Sequence, residues 1–230
     1  MDARTISIIM PTCNEEAIIS RSLELLLAIT DRSQGIEIIV SDASKDSTPD
    51  ILSRFPVTLC NSAKGRAIQM NNGAHLASGD ILYFLHADTL PPDTFIDDIR
   101  SAAAAGKKAG CFKMRFDDDH PLMALFGWFT RFPLMLCRGG DQSLFIDRNL
   151  FLSIAGFDES LLVMEDYDII NRIEQHMQFH ILETEVTTSA RRYHQNGIVR
   201  LQMIFGTLHL MYALGFDQES IIRYYRENII

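Results

Sequence analysis

Acidic and small polar side chains gather at three places in the first half of the chain: Pro11-Thr12-Cys13-Asn14-Glu15-Glu16, Ser41-Asp42-Ala43-Ser44-Lys45-Asp46 and His86-Ala87-Asp88. His86 and Asp88 stand two residues apart, so on an extended segment their side chains project to the same side. A carboxylate and an imidazole so placed can share a divalent ion, and that ion can bridge two phosphates. A fourth group, Glu165-Asp166-Tyr167-Asp168, sets three carboxylates before an amphipathic stretch carrying Ile169, Ile170 and Ile173. One of them is placed to act as a general base. Each group by itself also reads as ordinary capping and turn chemistry, which favours the same residue types. Gly-x-Gly-x-x-Gly and Gly-Lys-Ser phosphate loops are absent after the first apolar run, which disfavours dinucleotide oxidoreductases and P-loop enzymes.

These groups need elements to hold them. Near-continuous apolar runs at 6–10, 36–41, 57–60 and 80–85 suit parallel strands covered on both faces. Helical patterns at 15–29, 49–55 and 66–77 lie between them, and this alternation predicts right-handed crossovers in a doubly wound sheet. Thr48-Pro49 has the form of a helix cap followed by proline. In such a sheet, ligands bind at the carboxyl ends of the strands, where the first three polar groups fall. Farther on, 109–116 and 142–146 read as strands flanking an apolar helical excursion at 121–137. A helix at 165–176, a strand at 179–182 and two closing helical patterns complete the chain. We find no internal repeat or linker, which predicts one domain over 1–230.

With 230 residues, 47% of them hydrophobic and 22% charged, the chain has the composition of a soluble globular protein. The formal charge of −9 speaks against a nucleic-acid partner, which would need a basic face. Cys13, Cys60, Cys111 and Cys137 form no Cys-x-x-Cys pair, so neither a structural zinc site nor a redox motif is expected. Met1 to Ser7 carries no basic-then-apolar leader signal. Arg200, Gln202 and His209 break the apolar stretch 198–216, and Arg131 and Pro133 break 121–137. Neither supplies the roughly 20 apolar residues that cross a bilayer. The expected location is cytoplasmic.

In their order along the chain, these segments resemble the inverting family-two glycosyltransferases with the GT-A fold. Ser7-Ile8-Ile9-Met10-Pro11-Thr12-Cys13-Asn14-Glu15-Glu16 matches the opening of that family, and Ile39-Val40-Ser41-Asp42-Ala43-Ser44-Lys45-Asp46-Ser47-Thr48 its second motif. Lys64-Gly65-Arg66, Asn71-Asn72-Gly73-Ala74, the 79–88 segment ending in His86-Ala87-Asp88, Gly140-Asp141-Gln142, Gly156-Phe157-Asp158 and Glu165-Asp166 follow in register. The likeness runs from about Ile6 to Arg192, and the tail after Ala190-Arg191-Arg192-Tyr193 is like that of short bacterial members. It implies a Rossmann-like α/β GT-A sheet, doubly wound and mostly parallel, with C-terminal helices. The nucleotide half is 1–90, the acceptor and catalytic half 91–192 and the helical tail 193–230.

Carried over position by position, the resemblance puts Pro11, Thr12, Glu15 and Asp42 beside the base and ribose, and Lys64, Arg66 and Ala87 along the nucleotide sugar. Asp88 and His86 fall on the metal motif, Gly140, Asp141 and Gln142 on the acceptor side, and Asp166 on the general base, with Glu165 beside it. His86 stands where the family has a first aspartate, so manganese is expected over magnesium, because imidazole suits it better. His194 is a further candidate ligand. Ala43-Ser44 replaces the usual Asp-Gly, which leaves the base open. The implied reaction moves a sugar from a nucleotide diphosphate to an acceptor hydroxyl with inversion. A sugar-phosphate nucleotidyltransferase and a catalytically silent GT-A-like module are the alternatives. The apolar segments 121–137 and 198–216 predict either a homodimer or a peripheral contact with the inner membrane face, the latter admitting a lipid-linked acceptor.

Overall fold

The first strand shows why its apolar run has no polar alternation. In β1 (Ile6–Thr12), Ile6, Ile8 and Met10 enter one core layer and Ile9 enters another, and all four are buried. Successive residues of a strand point to opposite faces, so a run covered on both sides must be apolar throughout. The same division holds in β2 (Ile36–Asp42), with Ile38 and Val40 opposed to Ile39, and in β4 (Ile81–Phe84), with Ile81 and Tyr83 opposed to Leu82 and Phe84.

The computed structural model describes residues 4–229. Helices α1 (Ile19–Thr30) and α4 (Phe95–Ala104) cover the first face through Leu23, Leu26, Phe95 and Ile99. The other face is covered by α3 (Arg66–Leu76) and α7 (Glu165–Glu174), through Met70, Ala74, Ile169 and Ile173. Helix α3 approaches β1 so closely that a Cβ on Gly73 would lie 2.5 Å from Ile9 Cγ2. A glycine there is a packing requirement.

With α2 (Thr48–Leu52), β3 (Thr58–Asn61), β5 (Thr89–Leu90), β6 (Ala109–Phe116), α5 (Pro121–Phe129), β7 (Leu144–Asp147), α6 (Arg148–Ser153) and β8 (His180–Thr188), the sheet has eight strands in the order β3-β2-β1-β4-β7-β6-β8-β5. The β1, β2, β3 and β4 pairings are parallel, as is β6 with β8. Strand β7 enters antiparallel between β4 and β6, and β5 closes the far edge antiparallel to β8. Helices α8 (Arg191–Asn196), α9 (Ile198–Ala213) and α10 (Gln218–Asn228) end the chain.

Several elements differ from the sequence reading. Helix α1 begins at Ile19 rather than at 15, because the amides of Glu15 and Glu16 donate to Thr48 Oγ1 and Asp46 Oδ2 in the neighbouring loop. The N-cap of α2 is Ser47, one residue before Thr48. The helical excursion stops at Phe129, and Met135–Cys137 forms only a 3-10 turn. Pro133, which has no amide hydrogen, lies between them. Strand β8 runs six residues past Leu182, to Thr188. Exposed Glu183 and Glu185 alternate with Leu182, Thr184 and Val186, which marks a strand wet on one side. Three helices close the chain instead of two, since Gly197, at φ +83°, divides α8 from α9. Among the described residues, no helix is long and apolar enough to cross a membrane.

Candidate functional site

At the carboxyl ends of β1 and β2 the polar loops are tied to each other. Thr12 Oγ1 and Ser44 Oγ each donate to Asp42 Oδ1 at 2.6 Å, and the Ser44 amide donates to Asp42 Oδ2 at 3.2 Å. Asn14, held left-handed at φ +58°, donates its amide to Ser44 Oγ and accepts from the Lys45 amide. Beneath them, Gln69 Nε2 donates to the carbonyls of Thr12 and Ser41. Pro11, Thr12 and Asp42 therefore form one rigid ledge. Lys64 is exposed on the loop before α3.

The chain after β4 carries buried His86 and Ala87, followed by Asp88, whose side chain is largely covered. Arg191, from the head of α8, reaches back to this point. Its Nη2 donates to both carboxylate oxygens of Glu15, at 2.8 and 2.9 Å, and lies 3.4 Å from Asp88 Oδ2. Burial raises the pKa of Glu15, and the Arg191 guanidinium opposes that rise. Two carboxylates from different loops thus already share one cation.

A second constellation surrounds the head of α7. Arg66, the first residue of α3, places Nη1 3.1 Å from Glu165 Oε1 and 3.7 Å from Asp166 Oδ2. Partial desolvation works against the charge of Arg66, whose side chain stays 42% exposed, but the two carboxylates outweigh it and raise its pKa. Burial pushes the Glu165 carboxyl up, against the attraction of Arg66. His86 Nδ1 lies 3.2 Å from Asp141 Oδ1. Burial and Arg66 disfavour the charged imidazole, yet the Asp141 bond and the carboxylates of Asp166 and Asp141 raise its pKa overall. Gly140 fits between these groups: an added Cβ would overlap Asp166 Oδ2 and lie 2.6 Å from His86 Cε1.

The backbone is strained on both sides of this junction. Ser143 has φ +58° and ψ 170°, a region open almost only to glycine, and Met164, directly before Glu165, has φ +73°. Such residues each cost about 1–3 kcal/mol and persist where the surroundings hold them. The sheet and α7 together thus fix where Gly140 and Asp166 meet. Gln142 turns away into the wall, its Nε2 donating to the carbonyls of Phe112 and Thr130. Beside Asp166, Glu165, Asp141 and Arg66 opens a cavity of about 430 Å³.

Residues 7–145, more than half of the chain, match the family model for glycosyl transferase family 2. The chain belongs to that family. It is 23% identical over 202 residues to the probable glycosyltransferase YdaM of Bacillus subtilis (strain 168), covering 76% of this chain and 48% of that one. The chain spans less than half the length of the curated relatives it matches. Among solved structures, a mannosyltransferase from Pyrobaculum calidifontis in complex with GDP-Man and Mn2+ superposes with a TM-score of 0.67 at 20% identity, covering 90% of this chain and 62% of that one. Glucosyl-3-phosphoglycerate synthase from Mycobacterium tuberculosis, in complex with Mn2+, UDP and phosphoglyceric acid, gives 0.61 at 18% identity, with 93% and 80% covered. These likenesses establish the GT-A fold, a mostly parallel sheet with flanking helices.

In this family member the geometry groups the named residues into two sets. Thr12, Glu15, Asp42 and Asp88 stand around the β1, β2 and β4 ends, while His86 joins Asp141, Gly140 and Asp166. Arg66 lies with the second set and not along the first. The structure does not bring His194 to His86 and Asp88, since its Nε2 lies 2.9 Å from Asp118 Oδ2 on the loop after β6. Sequence reasoning passed over Arg191 and Arg192 as site residues. The only signal was the paired arginines in Ala190-Arg191-Arg192-Tyr193, which have no local period to interpret.

A divalent ion suits the residues present. Arg191 shows that Glu15 and Asp88 draw a positive charge to that point. Among the described residues no three His, Cys, Asp or Glu side chains form a complete cage. Ions that work on nucleotides take few protein ligands and fill the remainder with phosphate oxygens and water.

Proposed function

We propose that the protein is an inverting glycosyltransferase that uses a nucleotide-diphosphate sugar and a divalent metal, with Asp166 as general base. One observation carries this: Asp166 and Gly140 meet beside a cavity on one side and His86 on the other. In support, solved relatives of the same fold are complexes with GDP-Man or UDP and Mn2+.

In this reading, the Thr12–Asp42 ledge receives base and ribose, with Pro11 and Glu15 at its border and Lys64 at its rim. Ala87 and Asp88 lie under the diphosphate. Asp88 would hold the metal, joined by His86 on leaving Asp141, and the ion would neutralise charge on the departing diphosphate. Imidazole in the donor set favours manganese over magnesium. Arg191, closer to Glu15 than to Asp88, would keep Glu15 with a metal held at Asp88. On the opposite side, Gly140 and Asp141 border the acceptor, and Asp166 takes its hydroxyl proton. The acceptor oxygen then attacks the anomeric carbon as the bond to the diphosphate oxygen breaks, in one displacement that inverts the centre. Arg66 positions Asp166 and Glu165 without contacting the reacting atoms. We read the whole chain as one domain.

Thermal unfolding with UDP, GDP and their sugars, with and without Mn2+, tests the donor reading. A ligand that binds only the folded state raises the midpoint. A metal-dependent rise for one nucleotide is expected, followed by consumption of its sugar. If no nucleotide diphosphate shifts the midpoint in the presence of Mn2+, the reading fails.

A further inference from the structure

The cavity beside Asp166 is lined by the charged groups Asp166, Glu165, Asp141 and Arg66 and, elsewhere, by Phe116, Phe126, Phe129, Leu136, Phe205 and Leu208, with the polar Tyr167, Tyr193, Gln202 and His209 among them. Arg138 also borders it, but its guanidinium is taken up by the carbonyls of Thr130 and Phe132 and by Cys111 Sγ. Arg192 lies over the rings of Phe205 and Tyr225, at 6.0 and 5.9 Å, and donates to the Tyr225 hydroxyl.

Those walls continue outward. Phe129, Leu136 and Leu162 line the cavity and are also 43, 73 and 46% exposed, so apolar surface passes from the interior through the mouth. Trp128 packs edge-on against Phe129 and Phe132 at this rim. A sugar or polyol presents hydroxyls in every direction, and those turned to phenyl walls would lose water without gaining a partner. An alkyl or aryl body gains by leaving water there. A cavity of this size holds a molecule of small-ligand dimensions.

We propose that the acceptor is an amphiphilic alcohol. Its hydroxyl meets Asp166, and its alkyl or aryl body runs past Phe126 and Phe205 and leaves between Phe129 and Leu136. This rests on the glycosyl-transfer reading above, and names the class of compound that the reaction consumes. Such an alcohol can come from solution or from a bilayer, and in both cases the apolar body makes the contacts.

Trp128 is the sole tryptophan, so its fluorescence reports on the mouth without any turnover. Octyl β-glucoside below its micelle concentration, phenyl β-glucoside and glucose are titrated in turn, with UDP or GDP and Mn2+ present and absent. The two glucosides are expected to shift the emission and to bind at least about tenfold tighter than glucose. Phe129→Gln and Leu136→Gln, both at exposed positions, are expected to remove most of that advantage while the nucleotide still raises the unfolding midpoint. Equal binding of glucose and octyl glucoside, or full affinity in both variants, overturns the proposal. Nucleotide-sugar consumption is then followed with octyl glucoside and with phosphatidylcholine vesicles holding a long-chain alcohol. Transfer to the first alone identifies a soluble source, and transfer to the second with co-sedimentation identifies the bilayer. If the glucosides bind but no nucleotide does, the transfer reading fails and this role with it. If a nucleotide binds and the glucosides do not, only the acceptor class is wrong.

Discussion

The edge around β1, β2 and β4 and the seam around α7, proposed here as donor and acceptor sides, handle charge in different ways. Around β1, β2 and β4 the carboxylates lie among other polar groups: Asp42 accepts from two hydroxyls and an amide, and Glu15 and Asp88 share Arg191. Around α7, Glu165 is buried, Arg66 lies against it and Asp166, and apolar walls lead away. In the proposed reading, a diphosphate and its metal carry charge that this polar edge can exchange for Arg191. A base that must take a proton works better where water is kept out and its direction is fixed. On the proposed reading, the first surface is rewired by its ligand and the second stays in place while a hydroxyl is brought to it.

The comparison breaks most visibly at Asp166. Asp166→Asn keeps the shape but cannot take the proton, so turnover should fall about 10²–10⁴-fold. Donor affinity measured calorimetrically with Mn2+ should remain. Equal loss of both would mean that the two surfaces are not separate. Asp88→Ala is the reverse experiment. Metal-dependent nucleotide affinity should fall by about tenfold or more, while stability changes by less than about 1 kcal/mol, since Arg191 keeps Glu15. Unchanged manganese dependence would remove Asp88 from the metal site.

Gly140→Ala probes the seam between the surfaces. Its Cβ would displace Asp166 or His86, and a misplaced base costs turnover more than binding, here about tenfold. Steady-state kinetics would show a drop in kcat with little change in donor KM; a variant with wild-type kcat would show that the seam is loose. The smallest effect is expected far from both, at Glu37. Burial opposes its charge, but Ser7 and Ser78 hydroxyls and the Ser78 and Gly79 amides donate to it and lower its pKa. With its folded pKa depressed, Glu37 contributes stability above the ordinary glutamate value of 4.5, and loses it as pH falls through the folded pKa. Glu37→Gln should cost about 1 kcal/mol at pH 7 in urea unfolding, less at low pH, with kinetics unchanged. A penalty that does not shrink on acidification would refute the linkage.

The sequence displayed the parts of both surfaces unequally. The β1, β2 and β4 loops were legible because each follows an apolar run whose lack of alternation already implies a strand covered on both faces. Glu165-Asp166 was legible as a carboxylate pair before an amphipathic helix, though not as the partner of Arg66. Strand β5 and helix α6 were missed, being too short for a period to show. The excursion after Pro121 was read as one helix, because its apolar residues continue where its backbone does not.

By itself, then, the order of residues determined the parallel half of the sheet, the edge at which polar loops collect and the family to which the chain belongs. These are local patterns, repeated every two or three to four residues, and each stretch carries its own. The tertiary structure alone decided that Arg191 spans Glu15 and Asp88, that Arg66 faces Glu165 across 99 residues, and that Gly140 leaves room for Asp166 beside His86. It alone decided that the apolar residues of α5 and α9 wall a cavity. Such meetings depend on how helices pack across the sheet, and contacts between distant segments leave no periodic trace along the chain.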